Sequence, residues 1–261
     1  YNVIIMPSGY LEMSDYEIST LNDWVKQGGT LIAHNRSSRF IASQESLGSV
    51  KQLKDVLDQS KDYNFDLLRE IYADEDDLDQ ESVLSNTLDL EITYPWELNE
   101  SNYSEEELKS RDKWQSIFMP SGAFVAGRTD QKHWLTFGTP KTLPVLYGNY
   151  PVLMTGSNSE APIRIGELID NSDATEFRTI NWSTLPAGKD IKVRMSGLVW
   201  PEAAQRIANS AYLTRERVGK GQIILFAGEP NFRGSTRGTN RVWLNAIVYG
   251  PGLGTSPRIE L

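Results

Sequence analysis

The chain contains no cysteine. This excludes disulfides, thiolate metal ligands and every mechanism built on a cysteine nucleophile. Histidine is nearly absent too: His34 and His133 are the only two in 261 residues. Imidazole chemistry is therefore confined to two places. No run of about 18 apolar residues occurs, so no segment reads as a membrane-spanning helix. Positive charge is in deficit, with 26 Lys and Arg against 35 Asp and Glu and a net charge of −9. That balance argues against a nucleic-acid partner. The deficit is local: residues 43–116 hold 20 of the acids and seven of the bases. The pattern reads as an acidic insertion on an otherwise balanced domain. There is no internal repeat and no low-complexity linker, so residues 1–261 read as one domain carrying that insertion. The chain begins on Tyr1 and runs directly into a strand pattern. It therefore reads as a fragment or processed product, with any targeting segment upstream.

What is present begins with a βαβ pattern. Residues 2–6, apolar from Val3 onward, read as a short buried strand. Ser14 and Glu17 form a capping box, and Ile18, Leu21 and Val25 mark the buried face of the helix it opens. Gly28 and Gly29 end that helix, and residues 30–33 supply the next strand. Short connections between these elements imply a parallel pair with a right-handed crossover. The turn at 34–38 then offers His34, Asn35, Arg36, Ser37 and Ser38, with a helix starting near Phe40. A strand-to-helix turn at the carboxyl end of a parallel sheet is where a nucleophile elbow sits. Ser37 or Ser38 with His34 as base would make a serine amidase or esterase. No Gly-x-Ser-x-Gly surrounds either serine, and the competing reading of His34 is a satisfied structural group.

The acidic region is the least regular. Val50, Leu53, Val56 and Leu57 predict one amphipathic helix, and Leu67, Leu68 and Ile71 a second, short one. Residues 74–79 are acidic but lack the central glycine and closing glutamate of a calcium loop, which leaves a solvated loop. Leu88, Leu90 and Ile92 alternate as in a strand, while Tyr94, Pro95 and Trp96 read as surface. Ser104 with Glu107 caps a short helix. From Ser121 onward the texture is β-rich, with strand-like runs at 123–125, 134–137, 143–147, 151–154, 163–169 and 177–180. Pro201 occupies the first position of a helix bearing Ala203, Ala204, Ile207 and Ala208. Residues 212–227 form a hairpin about Gly219 and Gly221.

The hairpin's second strand, Ile223 to Phe226, is continuously apolar, as expected when both faces are covered. A polar loop follows, then a C-terminal helix with Val242, Trp243, Ala246, Ile247 and Tyr249, stopped at Gly250 and Pro251. Ligands in open α/β sheets lie beyond the carboxyl ends of the strands. Asn231, Arg233, Arg237 and Arg241, with Arg36, are therefore candidates for binding a small anion or a carbohydrate. The alternative is that these arginines bridge carboxylates and helix-terminal carbonyls within the fold. Trp96, Trp114 and Trp134 are candidate recognition aromatics.

Several runs together resemble a known family. The opening strand and Gly28-Gly29-Thr30-Leu31-Ile32-Ala33 resemble class I glutamine-amidotransferase-like domains. Closer is a likeness to the amidotransferase-like C-terminal region of bacterial zinc carboxypeptidases. It rests on Leu143-Pro144-Val145-Leu146, Pro151-Val152-Leu153, Ser196-Gly197-Leu198-Val199-Trp200-Pro201 and Gly221-Gln222-Ile223-Ile224-Leu225-Phe226-Ala227. Asn231-Phe232-Arg233-Gly234, Gly238-Thr239-Asn240-Arg241 and Leu244-Asn245-Ala246 complete it. The resemblance implies an α/β fold: an amidotransferase-like (flavodoxin-like), mostly parallel sheet with helices on both faces, plus a β-rich segment and the acidic insertion. It implies an upstream peptidase domain of the same protein holding the zinc, a peptide substrate, self-association, and a periplasmic or secreted location. It also implies a strand and helix before Tyr1, hence an open sheet edge at the first strand. The family's His-x-x-Glu zinc motif has no counterpart here, since Ser37 follows His34 and Thr136 follows His133 at that spacing. The elbow cysteine of active amidotransferases is likewise missing from the turn at 34–38. The expectation is a non-catalytic accessory domain, with no cofactor of its own, no nucleic-acid partner and no membrane span.

Overall fold

The computed structural model describes residues 1–75 and 104–255. The chain opens with β1 (Val3–Met6), α1 (Asp15–Lys26) and β2 (Thr30–His34). Ser14 and Glu17 form the expected capping box: the Ser14 amide donates to Glu17 Oε2 at 2.8 Å, and Ser14 Oγ accepts from the Glu17 amide at 3.4 Å. The backbone bond from Ser14, helped by its hydroxyl, holds the Glu17 carboxyl below its ordinary value. Helix α1 buries Ile18, Leu21 and Val25. β1 and β2 pair in parallel, Val3 opposite Thr30 through Met6 opposite Ala33. β14 (Gly221–Phe226) lies parallel on the other side of β2, with Phe226 opposite His34. Every residue of β2 and β14 is buried, which explains the apolar runs Leu31 to Ala33 and Ile223 to Phe226.

Beyond these strands the expectation of a mostly parallel sheet is corrected. β14 pairs antiparallel with β13 (Ala211–Val218), which pairs antiparallel with β7 (Ser159–Ile165). β4 (Ala123–Thr129) is antiparallel to β7, to β5 (Thr142–Tyr147) and to β12 (Arg194–Ser196). Two short strands, β3 (Lys51–Gln52) and β6 (Leu153–Met154), complete a ten-stranded mixed sheet among the described residues. Among the described residues parallel pairing is confined to β1, β2 and β14. For β13 and β14 the reason is connection length: Gly219 and Lys220 alone join them, and a two-residue turn joins only antiparallel strands. Gly219 takes φ +61 there, and the Cα of Gly221 leaves no room for a side chain, since a Cβ would lie 2.0 Å from the Val25 carbonyl oxygen. Two small antiparallel pairs stand apart: β8 (Glu167–Asp170) with β11 (Lys189–Lys192), and β9 (Arg178–Ile180) with β10 (Ser183–Leu185).

At one end of the sheet β1 pairs with β2 alone, so its other edge has no strand partner among the described residues. Val3, Ile4 and Met6 are half-buried and Ile5 is exposed.

Other local expectations change as well. Helix α2 (Arg36–Ala42) starts directly after β2 rather than at Phe40. Residues 50–57 form no helix. Lys51 and Gln52 pair with Met154 and Leu153, the Leu53 amide continues the pairing onto the Val152 carbonyl at 2.9 Å, and two 3₁₀ turns follow. Val50, Leu53, Val56 and Leu57 are buried nonetheless, so the apolar spacing marks burial and not helix. Residues 134–136 form a 3₁₀ turn instead of a strand, because His133 Nδ1 accepts from the Leu135 amide at 3.0 Å and starts the turn. Helix α3 (Ser60–Glu75) is longer than the expected short segment. Helix α4 (Glu105–Gln115) opens at Ser104 with the predicted capping box to Glu107. Pro201 begins α5 (Pro201–Ile207), and α6 (Arg237–Tyr249) is the C-terminal helix.

Leu67 and Ile71 of α3 and Leu108 of α4 belong to the same buried cluster as β2 and β14. The helices flanking the acidic stretch are thus part of the core. Of the solvated loop expected at 74–79, Asp74 and Glu75 instead end helix α3; the rest of that loop, the strand expected at 88–92 and the Tyr94-Pro95-Trp96 surface lie outside the described residues. Among the described residues no helix is long and apolar enough to cross a membrane.

Candidate functional site

The carboxyl ends of β1, β2 and β14 lie side by side, and the turn after β2 links all three. Its first residue, Asn35, has φ 53 and ψ −113, a region that side-chain-bearing residues rarely occupy. Such backbone costs about 1–3 kcal/mol and persists only where surrounding contacts enforce it. Here they are visible. The Asn35 amide donates to the Phe226 carbonyl at 3.0 Å. Ser37 Oγ donates to the Pro7 carbonyl at 2.5 Å, and Ser38 Oγ to the Phe226 carbonyl at 2.8 Å. The start of α2 is thereby stapled to the chain leaving β1 and to the last residue of β14.

The side chain of Asn35 points toward the loop after β14. Its Nδ2 donates to Glu229 Oε1 at 3.1 Å. The Ala227 amide bonds the Tyr212 carbonyl at 2.8 Å, which carries the hairpin pairing one step past β14 and brings Gly228 and Glu229 alongside. A Cβ on Gly228 would lie 2.9 Å from the Tyr150 ring, so that ring rests on bare backbone. Burial pushes the Tyr150 phenol up, and the Glu229 charge pushes it the same way. Burial likewise raises the Tyr212 phenol, whose hydroxyl has no hydrogen-bond partner among the described residues.

His34 is 8 % exposed and meets Trp243 of α6 edge-on, ring centroids 5.5 Å apart. Burial holds its imidazole below its ordinary value, against the opposing pull of Glu229. Its Nδ1 has no hydrogen-bond partner among the described residues. A general base needs a third group to orient its ring, and none holds this one. Neither Ser37 nor Ser38 bonds to His34; both hydroxyl protons are engaged by backbone carbonyls, and both residues are fully buried.

The arginines expected to gather after β14 do not converge. Arg233 lies over its neighbour Phe232, Cζ 5.1 Å from the ring centroid. Arg241 Nε donates to the Phe137 carbonyl at 3.3 Å, which Asn245 Nδ2 also bonds at 2.9 Å. That is the within-fold role weighed for these residues. Asn231 and Arg237 are exposed. Arg36 points away from this loop, with Cζ 5.7 Å from the Tyr10 ring centroid. The second histidine, His133, bonds Glu160 at 3.2 Å, and Arg215 bonds the same carboxylate at 3.1 Å. The His133 bond, with Arg215 beside it, holds Glu160 below its ordinary value. Among the described residues no cluster of three or more His, Asp or Glu side chains is set to hold a metal. Trp114 is exposed, Trp134 half-buried against His133, and Trp96 lies outside the described residues.

The site is therefore Asn35 and Glu229, flanked by Tyr150 and His34. An amide, a carboxylate and a phenol can hydrogen-bond a polar group, but no hydroxyl here is activated for acyl transfer. The sequence placed Asn35 in the turn without marking it as a site residue, and gave no sign of Glu229. The available signal was asparagine directly after a buried strand, since Asn tolerates positive φ better than other side chains. No family model, curated protein or solved structure matches this chain.

Proposed function

We propose that this chain is a non-catalytic accessory domain of amidotransferase-like (flavodoxin-like) ancestry, belonging to a zinc carboxypeptidase-like protein. The observation that carries the reading is Asn35. It occupies the strained residue of a strand-to-helix elbow, at φ 53 and ψ −113, where an active amidotransferase-like domain would present its nucleophile. Its amide is no nucleophile, and it is tied to Glu229. Strain retained at a turn without a nucleophile supports descent from a catalytic geometry. The β1–α1–β2 unit contributes two of the runs on which the resemblance rests, and β14 a third. In this reading the chain serves the peptidase domain by packing, by holding peptide or by self-association, and the zinc belongs to that other domain.

The test is a turnover screen on this chain. Glutamine, aryl esters and peptides with free C-termini are supplied with and without added zinc, and products are read by mass spectrometry. A fluorophosphonate probe is run in parallel. The reading expects no turnover and no labelling. Labelling or ester cleavage that disappears in Ser37→Ala or Ser38→Ala would establish a serine hydrolase instead. Zinc-dependent removal of C-terminal residues would place the peptidase in this chain and overturn the reading.

A further inference from the structure

Beside α2 lies an open cleft of about 460 Å³. That volume is within the range of about 300–1,000 Å³ usual for small-molecule sites. The loop after β1, α2 and the chain at β3 form its walls, through Tyr10, Arg36, Arg39, Phe40, Gln52 and Lys54. Three of these are cationic and no carboxylate lines the cleft. In a chain of net charge −9 this reverses the prevailing field.

The two arginines are positioned without being neutralised. Arg36, Arg39 and Phe40 share one stripe of α2, at the three- and four-residue spacing that brings side chains together on a helix. The Arg36 guanidinium is held over the Tyr10 ring, and Arg39 Nη2 is anchored on the Asn149 carbonyl at 3.3 Å. Neither arginine makes an ion pair with a described residue. A guanidinium has five donors, so each keeps most of them for a ligand. Lys54 stands 3.8 Å from Asp55 in an exposed pair, a weak partnership in water, and Asp55 also accepts from Gln52 Nε2 at 3.2 Å. Tyr10 and Phe40 supply flat apolar surface beside the charge.

We propose that this cleft binds an organic anion, a carboxylate or phosphate carried on an aromatic or apolar body. Arg36 and Arg39 hold the anionic group by charge-assisted hydrogen bonds, Lys54 adds charge, and the body lies against Tyr10 and Phe40. The site does not depend on the ancestry or the catalytic silence of the elbow.

The experiment titrates the whole chain with phenyl phosphate, benzoate, inorganic phosphate and benzyl alcohol, followed by calorimetry or by nuclear magnetic resonance. Saturable one-site binding of phenyl phosphate or benzoate is expected, weaker binding of inorganic phosphate, and none of benzyl alcohol. The preferred of the two organic anions identifies the head group. Arg36→Gln and Lys54→Gln together should weaken binding by about tenfold or more, while Arg233→Gln with Arg237→Gln leaves it unchanged. Arg36 and Lys54 are surface side chains, so an unchanged melting temperature verifies that the variant is folded. Absence of saturable binding by both organic anions overturns the proposal. So does binding that survives in the folded Arg36→Gln, Lys54→Gln variant.

Discussion

Asn35 Nδ2 donates to Glu229 Oε1 across 3.1 Å, and this bond joins the turn after β2 to the loop after β14. The two residues are 194 positions apart in sequence. Their strands are neighbours in the sheet, so the turn that follows one meets the loop that follows the other. The bond helps hold Asn35 at a backbone geometry that it would not adopt alone.

That geometry separates two substitutions at one position. Asn35→Gly loses the bond to Glu229 but adopts φ 53 without a Cβ, so stability should change by no more than about 1 kcal/mol. Asn35→Val places a β-branched side chain at positive φ and should cost about 2–3 kcal/mol. Urea denaturation of both variants checks this. Equal stabilities would show that the backbone at 35 is not strained.

The buried ion pair between α4 and α5 offers a second test. Arg206 Nε donates to Asp112 Oδ1 at 2.8 Å, and the side chains are 10 % and 7 % exposed. Asp112→Ala strands a guanidinium in the core and should cost about 3–5 kcal/mol. Adding Arg206→Met removes the stranded charge and should recover a substantial part of that loss. A single variant as stable as the parent would mean that the pair is solvated. A double variant no better than the single would assign the loss to packing.

His34 should make stability depend on pH. Its folded value lies below the unfolded 6.5 because burial disfavours the charged ring. The unfolded chain therefore binds the proton more readily between the two values, and stability falls as pH is lowered through that window. The melting temperature should decline from about pH 7 toward about pH 5, ahead of most carboxylate titration. His34→Gln should flatten the decline over that interval. An imidazole resonance of His34 titrating at or above its ordinary value would refute the assignment.

Part of this molecule was legible in the chain because local rules decide it. Ser14 with Glu17 and Ser104 with Glu107 satisfy the first amides of their helices from within four residues, so those starts need no tertiary information. Pro201 begins α5 because its fixed φ suits the first helical position, and Gly219 with Lys220 closes the hairpin by backbone geometry alone. Asp112 and Arg206 gave no such signal: their partnership depends on how α4 meets α5, across 94 residues.

The chain by itself determined where α1, α4 and α5 begin, that the apolar runs of β2 and β14 are buried, and that cysteine chemistry is excluded. These follow from capping, apolar runs and composition, all of which act over a few residues. Tertiary structure alone decided that Val50 to Leu57 bury as a short strand and 3₁₀ turns, since Lys51 pairs with Met154 and Gln52 with Leu153. It decided that, among the described residues, the parallel part of the sheet stops at three strands. It also decided that Ser37 and Ser38 face backbone carbonyls, that Asn35 meets Glu229, and that Arg36 turns to Tyr10 and not to the loop after β14. Each of these depends on which distant segment supplies the partner for a backbone or side-chain group, and the spacing of residues along one segment carries no information about that.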